Sequence, residues 1–174
     1  AGANAIAGEE ERGTLDLLLA NPISRSRVLL EKAGAMVVGN LVLGLSLWVG
    51  LIVGAEVGGM DISYLRLGEA SAAVVFLGLA LGALALAAGA ARGSRGLAMG
   101  VATVVAAVSY LVHVLAPAVE TLEPYRVLSL FYHYLGNDPL SNGLDPVHVG
   151  VLLALSVAFV ALGLVGFRRR DLAV

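Results

Sequence analysis

Residues 8–31 carry the side chains best suited to bind another protein, and they read GEEERGTLDLLLANPISRSRVLLE. The glutamates Glu9–Glu11 open a predicted short helix, Glu9–Ala20, on which Leu15, Leu18 and Leu19 share one apolar face. Asn21-Pro22 ends that helix, because the residue before a proline avoids the α region. This amphipathic, charged element predicts a surface that a soluble partner can hold.

The same segment also fits a lipid surface. A charged amphipathic helix beside a membrane span can lie on the headgroups, with its basic residues near anionic lipid. The acidic run Glu9–Glu11 counts against this alternative, since anionic lipid repels it. Both interpretations stay open on composition alone.

The sequence lacks the common motifs of catalytic and cofactor-binding sites. It contains no GxxxxGK[ST], GxSxG or HExxH motif and no cysteine. We therefore expect a non-enzymatic chain that binds no cofactor. We also expect no metal, although two histidines share a region with four carboxylates, because their spacing matches no ligand motif: His133, His148, Glu120, Glu123, Asp138 and Asp145.

A polar stripe is predicted inside one of the apolar stretches. Thr103, Tyr110 and His113 fall on one helical face, and polar groups inside a membrane can line a pathway. The alternative, which we favour, is a hydrogen-bonded contact between helices.

Four stretches without Asp, Glu, Lys or Arg dominate the rest of the chain, which is 59% hydrophobic and 14% charged. A helix needs about 20 residues to cross the hydrocarbon core, and each stretch is longer than that. The charge-free stretches are Ala33–Ala55, Ala70–Ala91, Gly96–Val119 and Pro146–Phe167, and they predict four membrane spans.

The basic residues then divide unequally between the two sides of the membrane. Nine lie on the side of both chain ends and only Arg66 and Arg126 on the other, and an excess of positive charge marks the cytoplasm. We expect both ends of this chain to be cytoplasmic in a multi-pass protein of the cell membrane, of prokaryotic origin. The basic residues are spread along membrane flanks, so they do not predict nucleic-acid binding.

The outer region before the last span is rich in aromatic residues. Pro124–Leu135 is too short to span and predicts an interfacial or re-entrant segment. Asp145 is the predicted cap of the last helix, with Pro146 at its first position. Small residues four apart, which let membrane helices approach closely, indicate subunit contacts or occur by chance in an Ala/Gly-rich chain: Gly50, Gly54, Gly58, Gly78, Gly82, Gly96 and Gly100.

EEERGTLDLLLANPISRSRVLLEK resembles the cytoplasmic coupling segment of permease subunits in type-2 ATP-binding-cassette exporters. The run DPLSNGLDPVHV, a span and FRRRDL are similar to the last outer loop and last helix of such permeases. The resemblance implies an all-α polytopic protein with four transmembrane helices, a coupling helix and an outer re-entrant segment. It also implies that two further spans precede this chain and that AGANAIA ends the second.

The resemblance further implies the partners: an ABC ATP-binding subunit that carries ATP and Mg²⁺, a second permease subunit in a homo- or heterodimer, and the lipid bilayer. The carboxylates would pair with basic ATPase residues, the leucines would fill a cleft, and the proline and serine would set the angle to the first span. The expected docking residues are Glu10, Glu11, Thr14, Leu15, Leu18, Pro22 and Ser24.

These observations give one predicted membrane domain over 1–174. It divides into a coupling segment (1–32), spans at 33–57, 70–91, 96–117 and 146–167, an outer loop (118–145) and a cytoplasmic tail (168–174). The predicted function is the permease subunit of an ATP-driven exporter. The alternative is a membrane anchor or assembly protein without transport, whose amphipathic helix binds lipid or a different partner.

Overall fold

The computed structural model describes residues 2–5 and 24–169, and within these ranges the chain is helical with no strand. The expected helix Glu9–Ala20 lies outside the described residues. The elements in chain order are α1 (Gly2–Ala5), α2 (Arg25–Val57), α3 (Tyr64–Arg92), α4 (Arg95–Leu115), a 3₁₀ helix (Glu120–Leu128), α5 (Leu130–Leu135) and α6 (Pro146–Arg169).

Four of the helices, α2, α3, α4 and α6, are long and apolar enough to cross a membrane. This confirms the prediction of an all-α polytopic protein with four spans. Helix α4 ends at Leu115, two residues before the predicted end of its span. Pro117 follows closely, and the residue before a proline is disfavoured in the α region.

The starts of three spanning helices are capped by side chains. Ser24 Oγ accepts the Arg27 N–H at 3.3 Å, and Ser94 Oγ accepts the Leu97 N–H at 3.3 Å. Asp145 Oδ1 accepts the Val147 N–H at 2.7 Å, as the predicted cap requires. Each cap satisfies a backbone donor that the first turn of a helix leaves without a partner.

The described helices divide into two compact units. The first takes its residues from 1–37, 80–105 and 154–174. Its main core joins α2, α3 and α6 through Leu29, Leu86 and Phe167, which are 0%, 1% and 0% exposed. A smaller alanine cluster in this unit brings together Ala3, Ala85 and Ala98 from α1, α3 and α4.

Small residues allow α6 to approach α3 in the first unit. A Cβ atom at Gly163 would lie 3.0 Å from Ala87 Cα, and one at Gly166 would lie 3.2 Å from Ala91 Cβ. A side chain at Gly163 therefore requires the two helices to separate. This is the small-residue contact that membrane helices use in place of a hydrophobic driving force.

The second unit takes its residues from 38–79 and 106–153. Here α2 lies against α3: a Cβ atom at Gly44 would overlap the Val75 side chain, and one at Gly68 would lie 3.2 Å from the indole Nε1 of Trp48. That Nε1 donates to the Tyr64 carbonyl at 2.9 Å, which ties α2 to the start of α3.

The predicted small-residue pattern is used within the chain at two positions. Gly78 faces the Asn40 side chain and Gly82 faces the Met36 sulfur, with 2.6 and 2.7 Å to a Cβ atom built at each glycine. By contrast, a Cβ atom at Gly50, Gly54 or Gly100 would meet nothing within 4 Å. Those three positions stay predictions of subunit contact.

Replacing Gly163 by leucine should destabilise the protein, because the new side chain has no room against Ala87. Overpacking of this kind costs about 1–3 kcal/mol. Gly150→Leu on the same helix is the matched control, since a Cβ atom there meets nothing within 4 Å. Thermal unfolding of the purified chain in detergent should show a lower midpoint for Gly163→Leu only. Equal midpoints for both variants would contradict the described α3–α6 contact.

Candidate functional site

The start of α2 is the described part of the predicted docking region. Of the seven expected docking residues, Ser24 is described and is the exposed cap of α2. The other six lie outside the described residues: Glu10, Glu11, Thr14, Leu15, Leu18 and Pro22.

The first turns of α2 are firmly held in the first unit. Arg27 Nε donates to Glu31 Oε1 at 3.0 Å across one exposed turn. Arg168 Nε, on α6, donates to Ser26 Oγ at 2.8 Å. Directly below, Leu29 is fully buried in the core that contains Phe167. A displacement of the chain at Ser24 therefore acts on a helix whose next turn already contacts α3 and α6.

On the second unit, a buried pair of serines joins α4 to the segment before α5. Ser129 Oγ donates to the Ser109 carbonyl at 2.7 Å, and the two hydroxyls lie 3.1 Å apart. Since the Ser129 proton is already used, Ser109 is the donor between the hydroxyls. Ser109 Oγ in turn accepts the Leu130 N–H at 2.7 Å.

This serine pair also caps α5. Ser129 Oγ accepts the Tyr132 N–H at 3.1 Å, and the Phe131 N–H points to Ser109 Oγ at 3.4 Å. Three donors at the start of a six-residue helix are thus satisfied by two hydroxyls that are themselves buried. Unpaired backbone N–H groups cost free energy in an apolar environment. The serine pair therefore stabilises the attachment of α5 to α4.

The predicted polar stripe on α4 has three different environments. Tyr110 packs edge-on against Phe131, with ring centroids 5.3 Å apart. His113 is half-buried, and its Nδ1 lacks a hydrogen-bond partner, as does the buried Nε of Arg126. Thr103 is exposed in the first unit. Pathway or helix-contact roles for these residues stay predictions.

Aromatic rings organise the outer segment of the second unit. Phe131 meets Tyr134 edge-on at 6.2 Å, and the Arg126 guanidinium carbon lies 5.1 Å from the Tyr132 ring centroid. The latter distance is typical of a cation–π contact. Tyr132 also meets the rings of His133 and His148 edge-on, at 5.2 and 5.1 Å.

His133 and His148 contact one another directly. His133 Nδ1 and His148 Nδ1 are 3.0 Å apart, and His133 Nε2 is 2.9 Å from the Val127 carbonyl oxygen. Burial lowers the pKa of His133, the hydrogen bond to Val127 partly offsets this, and His148 lowers the pKa further. Among the described residues, no group of three or more His, Asp or Glu is placed to hold a metal ion.

The loop that precedes α6 closes over an ion pair on α3. Arg66 donates to Glu69 Oε2 at 2.9 Å, and a Cβ atom at Gly143 would overlap the Arg66 guanidinium. Gly143 has a φ of +86°, a conformation that L side chains rarely adopt. The Asn137 amide donates to the Gly143 carbonyl at 3.0 Å, which fixes this turn. The loop is therefore built around Arg66.

An apolar groove of about 480 Å³ lies between α2 and α3 in the second unit. Its walls include Leu45, Trp48, Val75 and Phe76, and Glu69 is its one charged lining residue. This size suits a small organic molecule or a lipid chain.

Sequence reasoning missed the serine pair. Ser109 and Ser129 are twenty positions apart, and neither belongs to a recognisable motif. Two local signals were available: a hydroxyl inside a predicted span, and a serine directly before the helical run LFYHYL. Sequence reasoning considered His133 and His148 only as metal ligands.

Replacing Ser109 by alanine should loosen α5, because the buried Leu130 N–H loses the hydroxyl that accepts it. A buried group left unsatisfied costs about 1–3 kcal/mol, so amide exchange at Leu130 should speed up about fivefold or more. Ser46→Ala is the control, because Ser46 bonds only to the Val42 carbonyl of its own helix at 2.8 Å. Hydrogen–deuterium exchange by mass spectrometry checks this. Unchanged exchange at Leu130 in Ser109→Ala would contradict the anchoring role.

A comparison with protein-family models matches residues 1–172 to the ABC-2 family transporter protein model. Comparisons with curated proteins and with solved structures gave no match. The family match covers nearly the whole chain, and four apolar helices fit a permease subunit. The chain therefore belongs to the ABC-2 transporter family, as a multi-pass transmembrane permease of an ABC transporter.

Proposed function

We propose that this chain is the permease subunit of an ATP-driven exporter, in which a separate ATPase subunit supplies the energy for translocation. The observation that carries the proposal is the family match over residues 1–172, and the predicted docking segment directly precedes α2 in the sequence. The absence of a nucleotide-binding motif in the sequence agrees with ATP and Mg²⁺ being bound by the partner.

The proposed docking surface lies ahead of α2. Glu10 and Glu11 pair with basic residues of the ATPase, and Leu15 and Leu18 enter an apolar cleft beside Thr14. Pro22 and the Ser24 cap set the direction in which the segment enters α2. Because the first spanning helix, α2, begins at Arg25, the ATPase can contact the proposed docking segment without entering the membrane.

The proposed coupling step is a shift between two arrangements of the spans. ATP-bound closure of the ATPase binds one arrangement better and so increases its population. The force enters α2 at Ser24 and reaches α3 and α6 through the core around Leu29 and Phe167. The hydrogen bond from Arg168 to Ser26 adds a second link to α6 at the same level.

The proposed assembly contains two permease subunits and two ATPases in the cell membrane of a prokaryote, with both ends of this chain cytoplasmic. Nine basic residues against two support this orientation. The apolar residues exposed along the described part of α2 are free to face lipid or the second permease: Val38, Leu41, Val42, Leu43, Leu45, Val49 and Val53. In this proposal the chain forms one membrane domain without ATPase activity of its own.

Replacing Leu15 and Leu18 together by aspartate should abolish binding to the ATPase, because two buried charges would replace the apolar anchors. The measurement is co-purification of the cognate Walker-motif ATPase with the detergent-solubilised permease. Membrane insertion should be unchanged, since no span is altered.

Leu128→Asp is the matched control for this test, because Leu128 is 76% exposed on the outer segment. It should retain the ATPase at the level of the unmodified chain. Retention of the ATPase by Leu15→Asp/Leu18→Asp would contradict the docking assignment. Liposome binding by a peptide of residues 9–32 without ATPase interaction would favour the alternative of a lipid-bound anchor.

A further inference from the structure

The contact between His133 and His148 has the geometry of a hydrogen bond between two rings. Their Nδ1 atoms are 3.0 Å apart and their ring centroids are 5.2 Å apart. The centroid distance is close to the nitrogen separation plus the two ring radii. The two nitrogens therefore point at each other along one line, and do not converge on a third point as metal ligands would.

The Val127 carbonyl determines which nitrogens carry protons. A carbonyl oxygen only accepts, so His133 Nε2, 2.9 Å away, must be protonated. In neutral His133 the Nδ1 is then an acceptor, and His148 must donate its Nδ1–H to it. Adding one proton preserves this bond, because only one of the two facing nitrogens needs to carry hydrogen. Adding a second proton places N–H against N–H at 3.0 Å, and the bond is lost.

We propose that His133 and His148 form a histidine clasp, a pH-sensitive link between α5 and α6 that holds with zero or one added proton and opens with two. The clasp joins three elements, since His133 lies on α5, His148 in the first turns of α6 and Val127 in the 3₁₀ helix. This role goes beyond transport and does not depend on the ATPase.

The charges around the clasp do not favour a second added proton, because the negative and positive groups there offset each other. Asp145, at the cap of α6, lines the same small cavity as both histidines and supplies one negative charge. From the 3₁₀ helix, Arg126 adds a positive charge over the Tyr132 ring. Helix α3 contributes only Ala73 and Phe76 to this cavity. On α5 the neighbours are Tyr132 and Tyr134, and on α4 His113 interacts electrostatically with Arg126.

The direction of the pH effect follows from His133. Its pKa is lowered by burial, so the folded chain resists a proton that the unfolded chain accepts. The clasp is fully formed above the ordinary histidine pKa of about 6.5. Because His133 resists protonation, the clasp opens only at a lower pH, where both rings carry an added proton. Because the two rings interact directly, their added protons belong to the pair and not to either residue alone.

A cysteine-labelling experiment tests the clasp directly, because the sequence has no cysteine. Leu130→Cys places a reporter at a position of α5 that is 5% exposed, and Leu128→Cys is the reference at 76%. The ratio of their labelling rates with a membrane-impermeant maleimide cancels the pH dependence of thiol chemistry. From about pH 7.5 to about pH 5 this ratio should rise about tenfold, the factor expected when one hydrogen bond that holds α5 is lost.

The His148→Gln variant distinguishes a link that responds to protonation from one that is purely structural, because glutamine can hydrogen-bond to His133 but does not titrate. With this substitution the ratio should stay low at both pH values. A flat ratio in the parent, an equal rise in His148→Gln, or a high ratio at both pH values in His148→Gln would each overturn the proposal. So would a rise on adding EDTA at about pH 7.5, which would show that a metal makes the link.

A second readout does not depend on the cysteine variants. In ¹⁵N-histidine spectra of the full chain near pH 7.5, His133 should carry its proton on Nε2 and His148 on Nδ1. Signals are assigned with His133→Gln and His148→Gln, since the sequence has three histidines. The opposite tautomer of His133 would contradict the hydrogen bond to Val127 and the proposal with it.

Discussion

The burial of Leu29 against Phe167 is the contact on which the proposed coupling mechanism depends. Both side chains are 0% exposed, and with Leu86 they join α2, α3 and α6 in one core. In a membrane, packing and small residues replace the hydrophobic driving force between helices. The glycines on α6 that face Ala87 and Ala91 keep α3 close enough for this core to form. In the proposed mechanism, this contact, one turn inside the cap of α2, carries a movement of α2 to α3 and α6.

Hydrogen bonding imposes a different constraint on the outer segment. Its short helices leave backbone N–H and C=O groups that neighbouring helical turns cannot satisfy. Buried hydroxyls, a histidine pair and an asparagine amide supply the missing partners, at Ser109, Ser129, His133 and Asn137. Each of these bonds joins residues from different elements or from two ends of a loop. The segment is therefore held by a few polar contacts, and a change of protonation at one of them can alter how firmly it is attached.

The sequence predicted the elements better than their contacts. The four spans follow from gaps in the charge pattern, and the caps at Ser24 and Asp145 follow from local rules. Such rules need only neighbouring residues. The serine pair and the histidine contact could not be predicted, because they depend on how separate helices are placed. The burial of Phe167 could not be predicted from the sequence either, because a phenylalanine at the end of a span is as compatible with lipid as with a protein core.

The most direct test of the coupling account is the ATPase activity of the purified permease–ATPase complex carrying Phe167→Ala. This substitution leaves the docking segment intact, so the ATPase should still co-purify. Its hydrolysis rate should fall to that of the isolated ATPase subunit, because movement at α2 no longer reaches α6. Phe159→Ala, a half-buried phenylalanine on the same helix, should behave like the unmodified complex. A Phe167→Ala complex that hydrolyses ATP at the unmodified rate would contradict the account.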